Sequence, residues 1–231
     1  MEPPRPAGTT QKAELTRRRI LDTALSLFAS RGYEETTMRD IAAEAGCSLG
    51  LAYRYFASKE EMVLELYRNC SREHTIYVNT TLPPGTLADR FQKTMRFVLE
   101  QMAPYRETLG TLFGAALNPR SKVGVFSTGS ADIRRSSRDV YVTVATGAKD
   151  APRQSQMSDL ATVLYSMHFG VLIFWLQDLS EGTQKTFELI DFLRDMLALV
   201  RPLLSLRPAS KALARAAGIF GPMMGDDDHT K

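Results

Sequence analysis

Three residues, Gly46-Cys47-Ser48, separate two helical stretches of about two turns each. Two short helices joined by a tight, glycine-containing turn are the sequence signature of a helix-turn-helix. The first stretch, YEETTMRDIAAEAG over 33–46, has Thr37 and Asp40 at capping-box spacing, with Asp in place of the usual Glu. Ile41, Ala42 and Ala45 then share one face, and Gly46 stops the helix. The second, CSLGLAYRYF over 47–56, has Ser48 as its cap. A third helix starts at Ser58, where Ser58 and Glu61 form a capping box in its preferred form.

The flanking chain keeps a helical period almost throughout. Before the turn, Ile20, Ala24, Leu27 and Phe28 make one apolar stripe in a helix from Lys12 to Arg31, closed by Gly32. After it, Met62, Leu66 and Cys70 repeat at four-residue spacing in a long helix reaching about Val78. TTLPPGT over 80–86 is a breaker. Beyond it, Phe91, Met95, Val98 and Met102 form a stripe, a helix runs to about Leu117, and another spans about 130–146. Two strong helices follow, about 156–180 and 184–204. The expected division is a flexible arm over 1–11, a helix-turn-helix domain over 12–60 and a connecting helix over 61–78. A larger helical domain over 79–206 and a mobile tail over 207–231 complete it. Nothing reads as a strand, so the expected fold is all-α with about nine helices.

Composition narrows the functional classes. Of 231 residues 44% are apolar, enough for a proper core. The formal net charge is only +3, so contact with nucleic acid has to come from local placement of charge. Residues 12–59 carry eight basic and six acidic side chains, with Arg17-Arg18-Arg19 grouped early in the first helix where they could reach a minor groove or flanking phosphates. The two cysteines, Cys47 and Cys70, read as reduced thiols. Cys70 and His74 lie four apart, but two ligands do not make a metal site. No nucleophile, base and orienter can be assembled, no phosphate-cradling glycine motif occurs, and no cofactor is expected, which argues against an enzyme. The amino-terminal MEPPRPAGTTQK lacks the apolar stretch of a secretion signal. The most apolar run, 161–176, is shorter than the ~20 residues of a membrane span and contains His168, so a buried helix and a cytoplasmic protein are expected, without membrane association.

The short helix after the turn has the make-up of a DNA probe. Ser48 and Gly50 keep its front slim, so the backbone can approach a groove. Tyr53 and Tyr55 pair aromatic bodies with hydroxyl tips able to reach phosphates. Arg54 can fork onto a guanine or clamp a phosphate. Lys59 opens the next helix, where main-chain N–H groups also favour an anion. Phe56 reads as the anchor in a small three-helix core.

Residues 20–67, ILDTALSLFASRGYEETTMRDIAAEAGCSLGLAYRYFASKEEMVLELY, resemble the amino-terminal domain of the TetR family of bacterial transcription regulators. The matching features are ordered and dense: Phe28, Gly32-Tyr33, Thr36-Thr37, Ile41-Ala42, Ala45-Gly46, Ser48, Gly50, the aromatic run 53–56, and Lys59-Glu60. The resemblance implies that Thr37 caps the second helix and touches a phosphate, with Thr36 and Arg39 beside it at the DNA edge. It implies a reading surface of Ser48, Leu49, Leu51, Tyr53 and Arg54, with Lys59 on the backbone. Leu49 and Leu51 depart from the family, where polar residues are common at these positions. An apolar side chain there can still meet a thymine methyl, and Arg54 becomes the chief candidate for sequence discrimination.

Residues 169–200 resemble the last two helices of several members, which implies a homodimer through the helices at about 156–180 and 184–204. The family plan further implies that the second domain senses a small molecule. Flexible and aromatic residues suited to an apolar ligand are Phe91, Met95, Met102, Phe113, Tyr141, Tyr165, His168 and Trp175. Tyr165, His168 and Trp175 share one face of one helix, and their polar tips need partners from protein, second subunit or ligand. The expectation is a repressor released from a palindromic operator by a small molecule. The alternatives are an activator of the same fold, or a dimeric protein-binding module with a degenerate DNA face.

Overall fold

The computed structural model describes residues 7–118 and 121–226. The described residues hold ten α-helices, short 3₁₀ turns and no strand, so the fold is all-α as expected. The chain forms two compact units, one of residues up to Leu66 with Tyr105–Gly124, the other of Tyr67–Pro104 with Val125 onward.

The smaller unit is built on α1 (Ala7–Arg31), α2 (Met38–Glu44), α3 (Leu49–Tyr55) and the first two turns of α4 (Lys59–Thr80). Residues 7–11, expected as flexible arm, are the first turn of α1, while 1–6 lie outside the described residues. The expected apolar stripes converge here: Ile20, Ala24 and Phe28 of α1, Ile41 and Ala42 of α2, Ala52 and Phe56 at α3, and Met62 of α4 are all buried. Burial of these side chains is the main favourable term for so small a core. α6 (Arg106–Leu117) was expected in the larger unit but packs along α1 instead. Its Thr108 and Thr111 hydroxyls donate to the carbonyls of Leu25 (3.1 Å) and Phe28 (3.0 Å), and Leu109 and Leu112 are buried beside them.

The larger unit contains the later turns of α4, α5 (Leu87–Met102), α7 (Ala131–Thr146), α8 (Met157–Gln177), α9 (Gln184–Val200) and α10 (Arg207–Met224). α8 is central, lying between α7 and α10, while α9 packs chiefly on α5. By length and composition α8 could cross a membrane. Its packing explains its apolarity instead: Leu160, Ala161, Leu164, Tyr165, His168, Val171 and Trp175 are buried within the unit. Arg90 fixes the end of α7: its buried guanidinium donates to the carbonyls of Val144 (2.9 Å), Thr143 (3.3 Å) and Pro83 (3.3 Å). Cations at a helix C-terminus are favoured by the macrodipole.

The largest departure from the sequence expectation is the tail. Residues 207–224 form a helix, α10, not a mobile segment. Leu213, Ala217, Gly221 and Met224 bury one face of it. Pro208 falls in the first turn, where a missing N–H does no harm, and Gly225 ends the helix at φ +79, as left-handed caps require. Asp226 follows, only 2% exposed. Its carboxylate accepts from Arg138 of α7 (2.6 Å) and from the Thr162 hydroxyl of α8 (2.8 Å).

Candidate nucleic-acid interface and buried aromatic cluster

The local chemistry of the helix-turn-helix is complete. The Thr37 hydroxyl accepts from the Asp40 N–H (3.2 Å), and the Asp40 carboxylate accepts from the Thr37 N–H (2.9 Å) and hydroxyl (2.5 Å). Those bonds from Thr37 hold the Asp40 carboxyl below its usual range. At the turn, Gly46 adopts φ +62, and the N–H groups of Gly46 and Cys47 close on the carbonyls of Ala43 (3.1 Å) and Ala42 (2.9 Å). Only glycine enters that left-handed region without strain. The Ser48 hydroxyl then accepts from the Leu51 N–H (3.2 Å) and starts α3.

α3 hangs on two buried points, Ala52 and Phe56. Its other side faces out: Ser48, Gly50, Tyr53 (50% exposed) and Arg54 are exposed, and Leu49, Leu51 and Tyr55 are half-buried. A Cβ placed on Gly50 would meet nothing within 4 Å, so packing does not require glycine there. A helical glycine costs about 1 kcal/mol relative to alanine, and nothing in the fold offsets that. Arg39 and Arg54 are exposed and make no hydrogen bond or ion pair among the described residues, although the charge of Arg39 acts on Asp40.

Three expected DNA contacts sit otherwise. Thr36 is 1% exposed, and its hydroxyl donates to the Gly32 carbonyl (2.8 Å), so it holds the turn between α1 and α2 rather than an edge. Lys59 donates to the carbonyls of Tyr33 (2.8 Å) and Glu34 (3.3 Å), with its ammonium 4.3 Å from the centre of the Tyr33 ring. It bolts the start of α4 to the segment after α1, because those carbonyls lie within reach of its four-carbon stem. Arg17 is turned inward, ion-paired with Glu65 (2.7 Å) and stacked 4.6 Å from the centre of Phe56. Arg18 and Arg19 stay exposed. The Thr37 hydroxyl is already engaged on both sides by Asp40, which makes it a cap first.

The larger unit gathers Phe91 and Met95 of α5, Tyr141 of α7, and Tyr165 and His168 of α8 into one cluster. The Tyr141 hydroxyl lies 2.8 Å from His168 Nδ1 and 3.3 Å from Met95 Sδ. Ring centres separate Tyr141 from Phe91 by 6.1 Å and from Tyr165 by 6.1 Å. Sequence reasoning passed over three members. His74 of α4 stacks 5.9 Å from His168 and 5.7 Å from Tyr141; Phe169 and Phe126 extend the row beyond Tyr165 at 5.0 and 5.4 Å. His74 was weighed only with Cys70 as a metal ligand, and its fourfold spacing along α4 was the signal for a core position. Among the described residues no three groups could hold a metal ion.

Burial keeps both histidines neutral, lowering His74 to about 4 and His168 to about 3. Burial also raises the Tyr141 and Tyr165 phenols and pushes the Cys70 thiol up to about 11. Two atoms are conspicuous: His74 Nε2 and the Thr94 hydroxyl of α5 are buried and hydrogen-bond to nothing among the described residues. Each such orphan costs about 1–3 kcal/mol. Of the other candidates, Trp175 is buried on α8 and Met102 is half-buried at the end of α5. Phe113 belongs to α6 in the smaller unit and does not join the cluster.

A capped helix-turn-helix with a slim, outward-facing second helix, carried with a separate helical unit, defines a DNA-binding regulator. Comparison with known proteins agrees. Residues 20–66 match the domain described as "Bacterial regulatory proteins, tetR family", and residues 90–214 match the "Tetracyclin repressor-like, C-terminal domain". The chain is 32% identical over 199 residues to the HTH-type transcriptional repressor KstR2 of Rhodococcus jostii (strain RHA1), covering 84% of this chain and 82% of that protein. Among solved structures, Salmonella enterica GusR superposes with a TM-score of 0.63 at 19% identity, covering 81% of this chain and 95% of that one. A tetR-family transcriptional regulator from Streptomyces coelicolor superposes at 0.61 and 19% identity, covering 90% of each chain. The chain belongs to the TetR family of bacterial transcription regulators. Members of the family bind DNA operators and small-molecule effectors, and they dimerise.

Proposed function

We propose that the chain represses transcription as a homodimer on a palindromic operator and is released by a small, largely apolar molecule held in the buried cluster of the larger unit. The observation that carries the DNA half is the outer face of α3, where Gly50 serves no packing purpose and Arg54 is unpartnered among the described residues. In this reading Ser48 and Arg54 supply polar readout, Leu49 and Leu51 touch thymine methyls, and Tyr53, Tyr55 and Arg39 flank the site on phosphates. Thr37 presents the start of α2, and Lys59 acts by holding α4 rather than by touching DNA. The two α3 helices of a dimer would enter successive major grooves about one turn, ~34 Å, apart.

The dimer is assigned to α8 and α9. Phe192, Met196 and Leu199 form an exposed stripe on α9 at spacings of four and three, and Ile173 and Phe174 are exposed on α8. Exposed apolar side chains in such number mark an interaction surface. Release by a ligand requires that it bind better to a form with lower operator affinity, with a coupling of about 1–3 kcal/mol in typical cases. α4 suits the relay: it is one continuous helix that begins at Lys59 beside the probe and carries His74. That the full-length relative from Rhodococcus jostii is a repressor favours repression over activation.

The test is anisotropy titration of DNA from around the coding region at several salt concentrations. The expected result is preference for one palindrome, with log affinity falling linearly with log salt. Arg54→Ala should relax selectivity at one base pair. A uniform loss on every sequence would make Arg54 a phosphate clamp, and salt-independent binding would remove the DNA half altogether.

A further inference from the structure

The cluster in the larger unit has a chemical character narrow enough to describe what it takes. Its walls are aromatic: Phe91, Tyr141, Tyr165, Phe169 and Phe126 follow one another with ring centres 5.0 to 6.1 Å apart. Its polar atoms are uncharged ones: the Tyr141 hydroxyl, the two imidazoles and the Ser137 hydroxyl beside Tyr165, which bonds Ser71 at 2.9 Å; α5 adds the buried Thr94 hydroxyl one turn on from Phe91. The buried cations of the same unit are committed elsewhere. Arg138 is held by Asp226, Thr162 and Ser158; Arg134 donates to the Val125 and Ser127 carbonyls and the Ser130 hydroxyl; Arg90 caps α7. Arg134 lies within electrostatic reach of the Tyr165 phenol, but the groups that hydrogen-bond inside the cluster are all neutral, so an entering carboxylate, phosphate or cation would exchange its hydration for weaker partners.

Two polar groups wait for a partner. His74 Nε2 comes from α4 and the Thr94 hydroxyl from α5; both residues are more than nine-tenths buried, and neither atom is hydrogen-bonded among the described residues. Tyr141 and His168, which flank His74, by contrast satisfy each other. We propose that the effector is an uncharged, largely apolar molecule bearing a hydroxyl or carbonyl oxygen, and that His74 Nε2 and the Thr94 hydroxyl are the groups that bind its oxygen. A threonine hydroxyl can donate to a carbonyl, and an imidazole nitrogen donates or accepts according to tautomer, so both oxygen types are served. The apolar remainder lies against the ring row. This rests on the effector reading above and makes it specific in chemistry.

The test uses full-length protein and three probes of matched size: naphthalene, the neutral ketone 2-acetonaphthone, and the anion 2-naphthoate. Equilibrium dialysis at pH 7.5 should rank the ketone about tenfold tighter than naphthalene, the factor that one hydrogen bond of ordinary net strength supplies. Naphthoate should bind at least tenfold more weakly than the ketone. Thr94→Val and His74→Phe should each reduce the ketone's advantage while leaving naphthalene unchanged. Thr94→Val, which only removes an orphan hydroxyl, serves if His74→Phe fails to fold. Tightest binding by the anion, a ketone advantage untouched by both substitutions, or binding of none of the three overturns the proposal. A ketone that binds through His74 and Thr94 yet leaves operator affinity unchanged would instead refute the effector reading and leave the ligand chemistry standing.

Discussion

Asp226→Ala removes one carboxylate from a segment that sequence patterning reads as a loose tail, and the structure assigns it a large effect. Asp226 and Arg138 are both buried and 2.6 Å apart. Deleting one member of a buried pair leaves the other charge uncompensated, typically at about 3–5 kcal/mol. Arg138 keeps bonds to Thr162 Oγ1 (2.9 Å) and Ser158, and a longer contact to the exposed carboxylate of Asp139 (3.3 Å), so the low end, about 3 kcal/mol, is expected. For a protein of this length about 1 kcal/mol moves the melting temperature by roughly 2–4 °C, which gives a fall of about 6–12 °C. The assay is thermal unfolding followed by circular dichroism at pH 7, read on the transition of the larger unit. The double variant Arg138→Met with Asp226→Leu should recover most of the loss, since apolar replacement of a buried pair is often neutral. A fall of less than 2 °C in the single variant, or no recovery in the double, would mean that the tail is not anchored through this pair.

Three further outcomes follow from the same geometry. Gly50→Ala should raise stability by up to about 1 kcal/mol, because the added methyl meets nothing, while operator affinity drops; joint loss of both would mean that Gly50 is a packing residue. Stability should decline as pH falls from 6.5 towards 4: the unfolded histidines take up protons there, whereas His74 (about 4) and His168 (about 3) stay neutral in the fold and lose nothing above 6.5. At pH 5 each histidine accounts for up to about 2 kcal/mol, so urea midpoints of wild type and His74→Phe at pH 7 and 5 should diverge, and a pH-independent difference would refute the neutral assignment. Phe192→Glu places a charge in the exposed α9 stripe and should yield monomers in sedimentation with at least tenfold weaker operator binding; an unchanged dimer would move the interface elsewhere.

Much of the smaller unit was legible because its determinants are local. The capping box at Thr37, the stop at Gly46 and the stripe of Ile20, Ala24 and Phe28 are short-range rules that tertiary structure had no reason to override; at Ser58 the hydroxyl caps the Glu61 N–H as expected, but the Glu61 carboxylate accepts from the Ala57 N–H and the box stays half formed. The tail was missed because its sequence shows no consistent period, although Pro208 and Gly225 stand where helices tolerate or favour them. The weak stripe of Leu213, Ala217, Gly221 and Met224 becomes decisive only against α8. Lys59, Arg17 and Thr36 were read as DNA contacts because a basic or hydroxyl side chain looks the same in sequence whether it points outward or bonds a carbonyl or carboxylate of its own fold.

Sequence alone determined the all-α character, the helix-turn-helix and its caps, and the residues on the outer face of α3, because periods, caps and turns depend on neighbours within a few positions. Only the tertiary structure decided that α6 packs on α1, that Asp226 closes the larger unit, and that His74 joins Tyr141 and His168 across three helices. Those pairings join residues tens of positions apart, and which of many chemically equivalent side chains meet depends on how the helices pack, a choice no local pattern encodes.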